Sequence, residues 1–341
     1  MEFPSSFRIA GREVGPNVPC LIIAEAGVNH FGFMDKALRL VDMAADAGAD
    51  VLKIQHFNTD RMIGDSAADW RERMRTKELS KADVRRIKEY CELRGILFLC
   101  TPHDDWALRF LDQELDLPAF KIGSGEVENW PFLEQVARCG KPVILSTGMY
   151  RMEQIREAVR VMAGNGCPAL SVLHCVTSYP APPEAINLKV MDEIRSFFSG
   201  PVGYSDHTAG TAVPMAAVAR GAKVLEKHIT LDRDVPNAQD WKVSCDPSNF
   251  ATFVAQVREI EAALGQQQKN IGDLEQNSLL WARKSMHAAT AIAAGQTIEA
   301  VMLVAQRPGK GISPAHLASL MGHKAKQDIP AGTMIDWDMV V

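Results

Sequence analysis

No stretch of this 341-residue chain stays apolar for the roughly 20 residues that a membrane-spanning helix needs. The opening MEFPSSFRIAGREVG lacks the basic start and apolar core of a secretion signal. The expectation is a cytoplasmic protein with no membrane partner. Cysteine is present without pairing: the total is seven, at Cys20, Cys91, Cys100, Cys139, Cys167, Cys175 and Cys245, with no CxxC. An odd, scattered set excludes a disulfide scaffold and a cysteine zinc site, and most of these residues read as small buried hydrophobes. No block of lysine and arginine stands out, and 37 basic against 42 acidic residues leave a net charge of -5. That excludes the phosphate-backbone footprint of a nucleic-acid binder. No GxGxxG turn follows the first apolar run, which disfavours a dinucleotide-binding open sheet.

What is present is ordinary globular material, 47% hydrophobic and 23% charged, enough for a sizeable core. Short apolar runs occur at Cys20–Ala24, Val51–Ile54, Ile96–Cys100, Ala119–Ile122, Val143–Leu145, Leu170–His174, Val202–Tyr204 and Lys223–Glu226. Helix-period segments alternate with them: Asp35–Ala47, Ser80–Arg94, Asp104–Gln113, Pro131–Cys139, Met152–Ala163, Leu188–Phe198, Ala212–Arg220 and Ser248–Leu264. Ser80 and Asp83 form a near capping box, and Gly48, Gly95 and Gly221 close helices. Eight strand–helix units predict an α/β fold, a (β/α)8 TIM barrel over residues 1–264. The polar, Gln-rich stretch that follows predicts a linker at 265–282. In the remainder, 283–341, AIAAGQTIEAVMLV (291–304) recurs as DIPAGTMIDWDMVV (328–341), predicting a small pseudo-symmetric domain.

Catalytic groups of a barrel sit at the C-terminal ends of its strands. All eight expected ends are polar: Glu25; Lys53 and Gln55; Thr101; Lys121, Ser124 and Glu126; Ser146 and Thr147; His174, Thr177 and Tyr179; Ser205, Asp206 and His207; Glu226 and His228. Ser124, Ser146 and Ser205 beside glycines suit a phosphate cradle. Lys53 and Lys121, inside apolar strands, need an anion, supplied either by a ligand or by Glu25 and Glu226. His207 and His228 end neighbouring strands and could share a divalent metal such as Mn2+. Glu25 and Glu126 are the carboxylates available for proton transfer. RERMRTK (71–77) reads as a solvated loop or helix face, although its position after the second strand could place it beside an anionic ligand.

The segments IIAEAGVNH, FKIGSGE, PVILSTGM, LHCVTSYPAPPEAINL, VGYSDHTAG and LEKHITLDR resemble, in order and spacing, the sialic acid synthase (N-acetylneuraminate synthase) family, and RPGKGISP with the paired repeats resembles its antifreeze-like SAF domain. The resemblance implies metal-assisted condensation of phosphoenolpyruvate with an N-acetylmannosamine-like aldose, giving a nine-carbon 2-keto-3-deoxy sugar acid and phosphate with C–O cleavage. It implies phosphoenolpyruvate binding by Lys53, Thr101, Lys121, Ser124, Ser146, Thr177 and Ser205. It further implies acceptor contacts from Glu25, Gln55, Tyr179, Asp240 and Arg307, and a divalent cation on His207 and His228, most often Mn2+, with Mg2+ or Co2+ as alternatives. Arg307 would come from the partner in a domain-swapped homodimer. Glu25, Glu126, Lys53 and Lys121 are the expected catalytic groups. His56, His103 and the PNAQDWKVSCDP loop depart from the family pattern on the acceptor side, and either histidine would be available to enlarge the metal site. An acceptor phosphate would want basic residues at the barrel mouth, where Arg61, Arg71, Arg73 and Arg75 are available. Within the family, a legionaminic or pseudaminic acid synthase is the alternative; in a different class, an inactive carbohydrate-binding barrel.

Overall fold

A computed structural model describes residues 2–236, 238 and 240–341. The chain divides into two compact units, Met1–Gly265 and Gln266–Val341.

The first unit is built on eight parallel strands: β1 (Leu21–Gly27), β2 (Val51–His56), β3 (Leu97–Pro102), β4 (Phe120–Ile122), β5 (Val143–Ser146), β6 (Leu170–Cys175), β7 (Val202–Asp206) and β8 (Val224–His228). Hydrogen bonds run in the order β3-β2-β1-β8-β7-β6-β5-β4, and β3 and β4 lie side by side where the near-barrel closes. This is the TIM-type arrangement expected from the alternating runs. The strands' period-two alternation explains what lies inside. At the start of the strands the inward positions are apolar, with Leu21, Ile23, Val51, Leu99, Ile144, Leu173 and Val224 in one buried cluster. Two residues further on, the same inward rows turn polar, with Glu25, Lys53, Thr101, Lys121, Ser146, Ser205 and Glu226. One end of the barrel is therefore a plug and the other a site.

The plug is completed by a feature not anticipated from the sequence. A short antiparallel hairpin, Phe7–Ile9 with Arg12–Val14, buries Phe7, Ile9 and Val14 in the inner apolar cluster.

The outer layer holds α1 (Met34–Asp46), α2 (Ala68–Arg75), α3 (Lys81–Leu93), α4 (Asp105–Arg109), α5 (Trp130–Arg138), α6 (Met152–Gly164), α7 (Val190–Arg195), α8 (Ala212–Ala219) and α9 (Phe250–Leu264). The Ser80 capping box is present: Ser80 Oγ accepts from Asp83 N at 3.1 Å, and Asp83 Oδ2 accepts from Ser80 N at 3.2 Å. Gly48, Gly95 and Gly221 all have positive φ just past their helices, where a side chain would be strained. No helix among the described residues is long and apolar enough to cross a membrane.

In the second unit, part of the stretch expected as a linker forms a helix, α10 (Asp273–Trp281). Beyond it, β9 (Ser285–Ala288) pairs antiparallel with β10 (Leu303–Gln306). The internal repeat becomes geometry here. Ile292 and Ile329, equivalent in the two copies, face each other across an antiparallel bridge. Gly295 and Gly332 share positive φ, and Ile298 and Ile335 are both buried in the unit's core.

Candidate active site

The polar ends of the strands line one cavity of about 660 Å3. At its floor two lysines and two carboxylates alternate. Lys53 Nζ lies 2.9 Å from Glu25 Oε2 and 3.4 Å from Glu226 Oε2. Lys121 Nζ is 3.6 Å from Glu226 Oε1 and donates to Ser146 Oγ at 2.7 Å. Hydroxyls fill the gaps: Lys53 donates to Thr101 Oγ1 at 3.1 Å, and Ser205 donates to Glu226 Oε1 at 2.9 Å. All four ionisable side chains are buried. The floor thus balances two charges against two, and the cost of burial is offset only by this mutual contact.

The surroundings separate the two carboxylates. Burial raises the proton affinity of Glu25 above the ordinary carboxylate range, against the pull of Lys53. Burial acts in the same direction on Glu226, but Lys121 and Lys53 overcome it and hold its pKa at about 2. Two carboxylates pushed apart in this way suit different proton-transfer roles, Glu25 as the group that can carry a proton and Glu226 as a fixed anion. Burial lowers Lys121 below its usual value, whereas Glu226 and Glu25 more than offset burial for Lys53.

One wall belongs to the histidines. His207 and His228 have ring centres 5.3 Å apart. Burial, reinforced by His228, lowers His207 to about 4, and burial also lowers His228, so both are neutral at pH 7. His207 Nδ1 lies 2.8 Å from Val176 O. A carbonyl only accepts, so the proton sits on Nδ1 and the lone pair of Nε2 faces inward, 3.0 Å from Tyr179 OH. The Nδ1 of His228 is buried with no partner among the described residues.

Around the mouth, Gln55 donates to Glu25 Oε1 at 3.0 Å and is 3.3 Å from His103 Nε2. Ser124 Oγ accepts from Gly148 N at 2.9 Å. Thr177, Tyr179 and Asp240 also line the cavity. The structure therefore brings together Glu25, Lys53, Gln55, Thr101, Lys121, Ser124, Ser146, Thr177, Tyr179, Ser205, His207, His228 and Asp240.

One expected site residue is not in that company. Glu126 lies outside the lining, because its strand end turns into a short 3-10 segment and the carboxylate accepts instead from Asn129 Nδ2 at 2.6 Å. Glu226, read from the sequence as a partner for the lysines, is the second carboxylate of the floor. Arg307 belongs to the second unit, where its Nε donates to Ala282 O at 2.9 Å. Of the two unusual histidines, His103 lines the cavity, whereas His56 stacks on Trp106 and Phe110 at 5.0 and 5.2 Å, outside it.

The 71–77 segment, open between a solvated face and a place beside the ligand, supplies part of the rim. Trp70, Arg73, Met74 and Lys77 line the mouth on α2 and the turn after it, with Lys242 joining from the segment beyond β8. Their i, i+3, i+4, i+7 spacing was the available signal that one face of this segment looks inward. Arg61, Arg71 and Arg75 instead pair with Asp105, Asp65 and Asp60.

A parallel barrel whose strand ends converge on one hydroxyl-rich, charge-balanced cavity defines a protein of the (β/α)8 class. The chain belongs to the NeuB family, whose model matches residues 40–269, and a SAF domain matches residues 283–341. It is 40% identical over 333 residues to an uncharacterised protein of Methanocaldococcus jannaschii, covering 97% of each chain. It is 37% identical to an N,N'-diacetyllegionaminic acid synthase of Campylobacter jejuni, covering 92% of this chain and 98% of that one. Human N-acetylneuraminate-9-phosphate synthase is 36% identical, with 92% and 90% covered. Among solved structures, the sialic acid synthetase of Leptospira borgpetersenii, in complex with citrate, superposes with a TM-score of 0.76 at 34% identity, covering 82% of this chain and 96% of that one.

Proposed function

We propose that this chain is a sugar acid synthase that condenses phosphoenolpyruvate with an open-chain amino-sugar aldose, releasing phosphate and a nine-carbon 2-keto-3-deoxy sugar acid. The observation that carries the reading is the floor: two buried lysines interleaved with serine and threonine hydroxyls, beside two neutral histidines. The lysines and hydroxyls suit a small ligand with both a phosphate and a carboxylate. Relatives named as synthases of such sugar acids support it.

In this reading Lys53, Lys121, Thr101, Ser124, Ser146, Thr177 and Ser205 hold phosphoenolpyruvate, so that its orientation is fixed before reaction. C3 of phosphoenolpyruvate attacks the aldehyde carbon. Water then adds at C2, and the C–O bond to phosphate breaks, so that enolpyruvate phosphate, aldose and water balance sugar acid and inorganic phosphate. Glu25, the carboxylate with the raised proton affinity, would in its protonated form deliver a proton to the aldehyde oxygen, while Glu226 stays ionised and keeps both ammonium groups in position. Gln55, Tyr179 and Asp240 hold the acceptor's hydroxyls, and the SAF domain of a second copy adds Arg307.

The histidine pair fits a divalent cation. Two neutral imidazoles, one with an unpartnered buried nitrogen, offer lone pairs, and among the described residues no third potential ligand completes a closed site. That leaves positions open for substrate oxygens and water, the pattern suited to Mn2+, with Mg2+ or Co2+ as alternatives. When bound, such an ion would polarise the sugar carbonyl.

Acceptor choice falls to the rim. Phosphate release from phosphoenolpyruvate with Mn2+, measured against N-acetylmannosamine, its 6-phosphate and the 2,4-diacetamido-2,4,6-trideoxyhexoses, tests the reading. Release that depends on one sugar is expected. Sugar binding without release by any of them would favour a carbohydrate-binding barrel.

A further inference from the structure

Two buried charges that the reaction does not touch flank the histidine pair. Asp206 precedes His207 and Lys227 precedes His228, and the two are register partners across β7 and β8. Strand alternation sends their side chains to the opposite face from Ser205, His207, Glu226 and His228. There they are sealed, at 0% and 1% exposure. Lys227 Nζ donates to Asp206 Oδ2 at 2.5 Å, to Thr208 O at 2.8 Å and to Gly210 O at 3.0 Å. Those three bonds use all of its protons. Asp206 Oδ1 in turn accepts from Thr208 N at 3.3 Å and from Thr208 Oγ1 at 2.9 Å. One ion pair thereby gathers the end of β7, the turn that leaves His207 and the end of β8.

Stability alone does not account for such a pair. Taking both charges out of water costs about what their attraction returns, and apolar residues of similar volume commonly serve as well. What distinguishes this pair is its place, one residue from each histidine. Groups behind metal-binding side chains set their spacing and direction. We propose that the Asp206–Lys227 ion pair, oriented by Thr208, is a positioning device that fixes the separation of His207 and His228 for one shared divalent cation. The inference rests on the metal part of the function proposed above.

The test is Mn2+ binding to the full-length chain, followed by the paramagnetic resonance of the free ion, alongside thermal unfolding and phosphoenolpyruvate binding. The double variant Asp206→Leu/Lys227→Met removes both charges and leaves none unpaired. It is expected to unfold near the wild-type temperature and to keep its affinity for phosphoenolpyruvate, while Mn2+ affinity falls about tenfold or more. Lys227→Arg, which keeps the cation, is expected to retain most of that affinity. Thr208→Val asks the same question with the ion pair intact, and a measurable loss, smaller than that of the double variant, is expected. A folded double variant, or Thr208→Val, with unchanged Mn2+ affinity would overturn the proposal. A wild-type chain that takes up no Mn2+ would overturn it together with the metal site. Mn2+ uptake without turnover of any aldose would remove the condensation reading and leave this one standing.

Discussion

Gly148 shows how tightly single residues set this site. A Cβ there would stand 2.2 Å from Thr177 Oγ1 and 2.9 Å from Ser124 Oγ, and the second of these hydroxyls accepts from the Gly148 N–H. Gly148→Ala is therefore expected to push both hydroxyls aside and raise KM for phosphoenolpyruvate about tenfold, since small displacements of positioning groups are costly. The fold should survive, because overpacking of this kind costs roughly 1–3 kcal/mol. Steady-state kinetics with thermal unfolding checks both halves, and an unchanged KM would mean that the phosphate does not sit between Ser124 and Thr177. Glu25 and Glu226 carry the same lesson for charge. They are the same residue type a short distance apart, yet one lysine contact on Glu25 against two on Glu226 separates their proton affinities in opposite directions.

Among the elements, the closed end of the barrel is held as deliberately as the open one. Asp50, at the start of β2, accepts from Ile22 N of β1 at 2.7 Å and from Arg258 of α9 at 2.8 Å, and it also pairs with Arg12 of the hairpin. One buried carboxylate thus joins the first strand, the last helix and the plug. Asp50→Ala would strand a buried N–H and a half-buried guanidinium, with an expected cost of about 3 kcal/mol. Chemical denaturation measures it directly, and a variant as stable as its parent would show that the hairpin and α9 are held by apolar contact alone. The hairpin itself was not legible in the sequence. Strands of three residues, FRI and REV, are too short to display any period. The barrel strands were legible because each is an apolar run ending in a polar residue, and their bounds shift by only a few residues, as at β8, which continues to His228. The rim helix was only half legible, for the opposite reason. Its charged run reads as solvated, and only the spacing of Trp70, Arg73, Met74 and Lys77 marks the face that turns inward. Glu126 was misplaced because strand-end position alone does not show that the chain turns within two residues of Ser124.

At the scale of the molecule, the first unit concentrates its chemistry at one end by a simple sequence device, apolar then polar along the same inward rows. The second unit repeats one folding motif twice and pairs the copies through Ile292 and Ile329. Both features follow from the sequence. The acceptor does not, because the rim that would meet it combines apolar Trp70 and Met74 with basic Arg73, Lys77 and Lys242, and relatives of similar identity carry names for different sugar acids. In the proposed reaction a single chemical event at the barrel mouth decides everything: phosphate leaves with the oxygen that joined it to carbon. Phosphoenolpyruvate labelled with 18O at that bridging position, incubated with Mn2+ and the accepted aldose, tests it most directly by mass spectrometry of the released phosphate. The label is expected in inorganic phosphate, with release abolished when either sugar or metal is withheld. Label retained in the sugar acid, or release indifferent to the sugar, would rule out the proposed condensation.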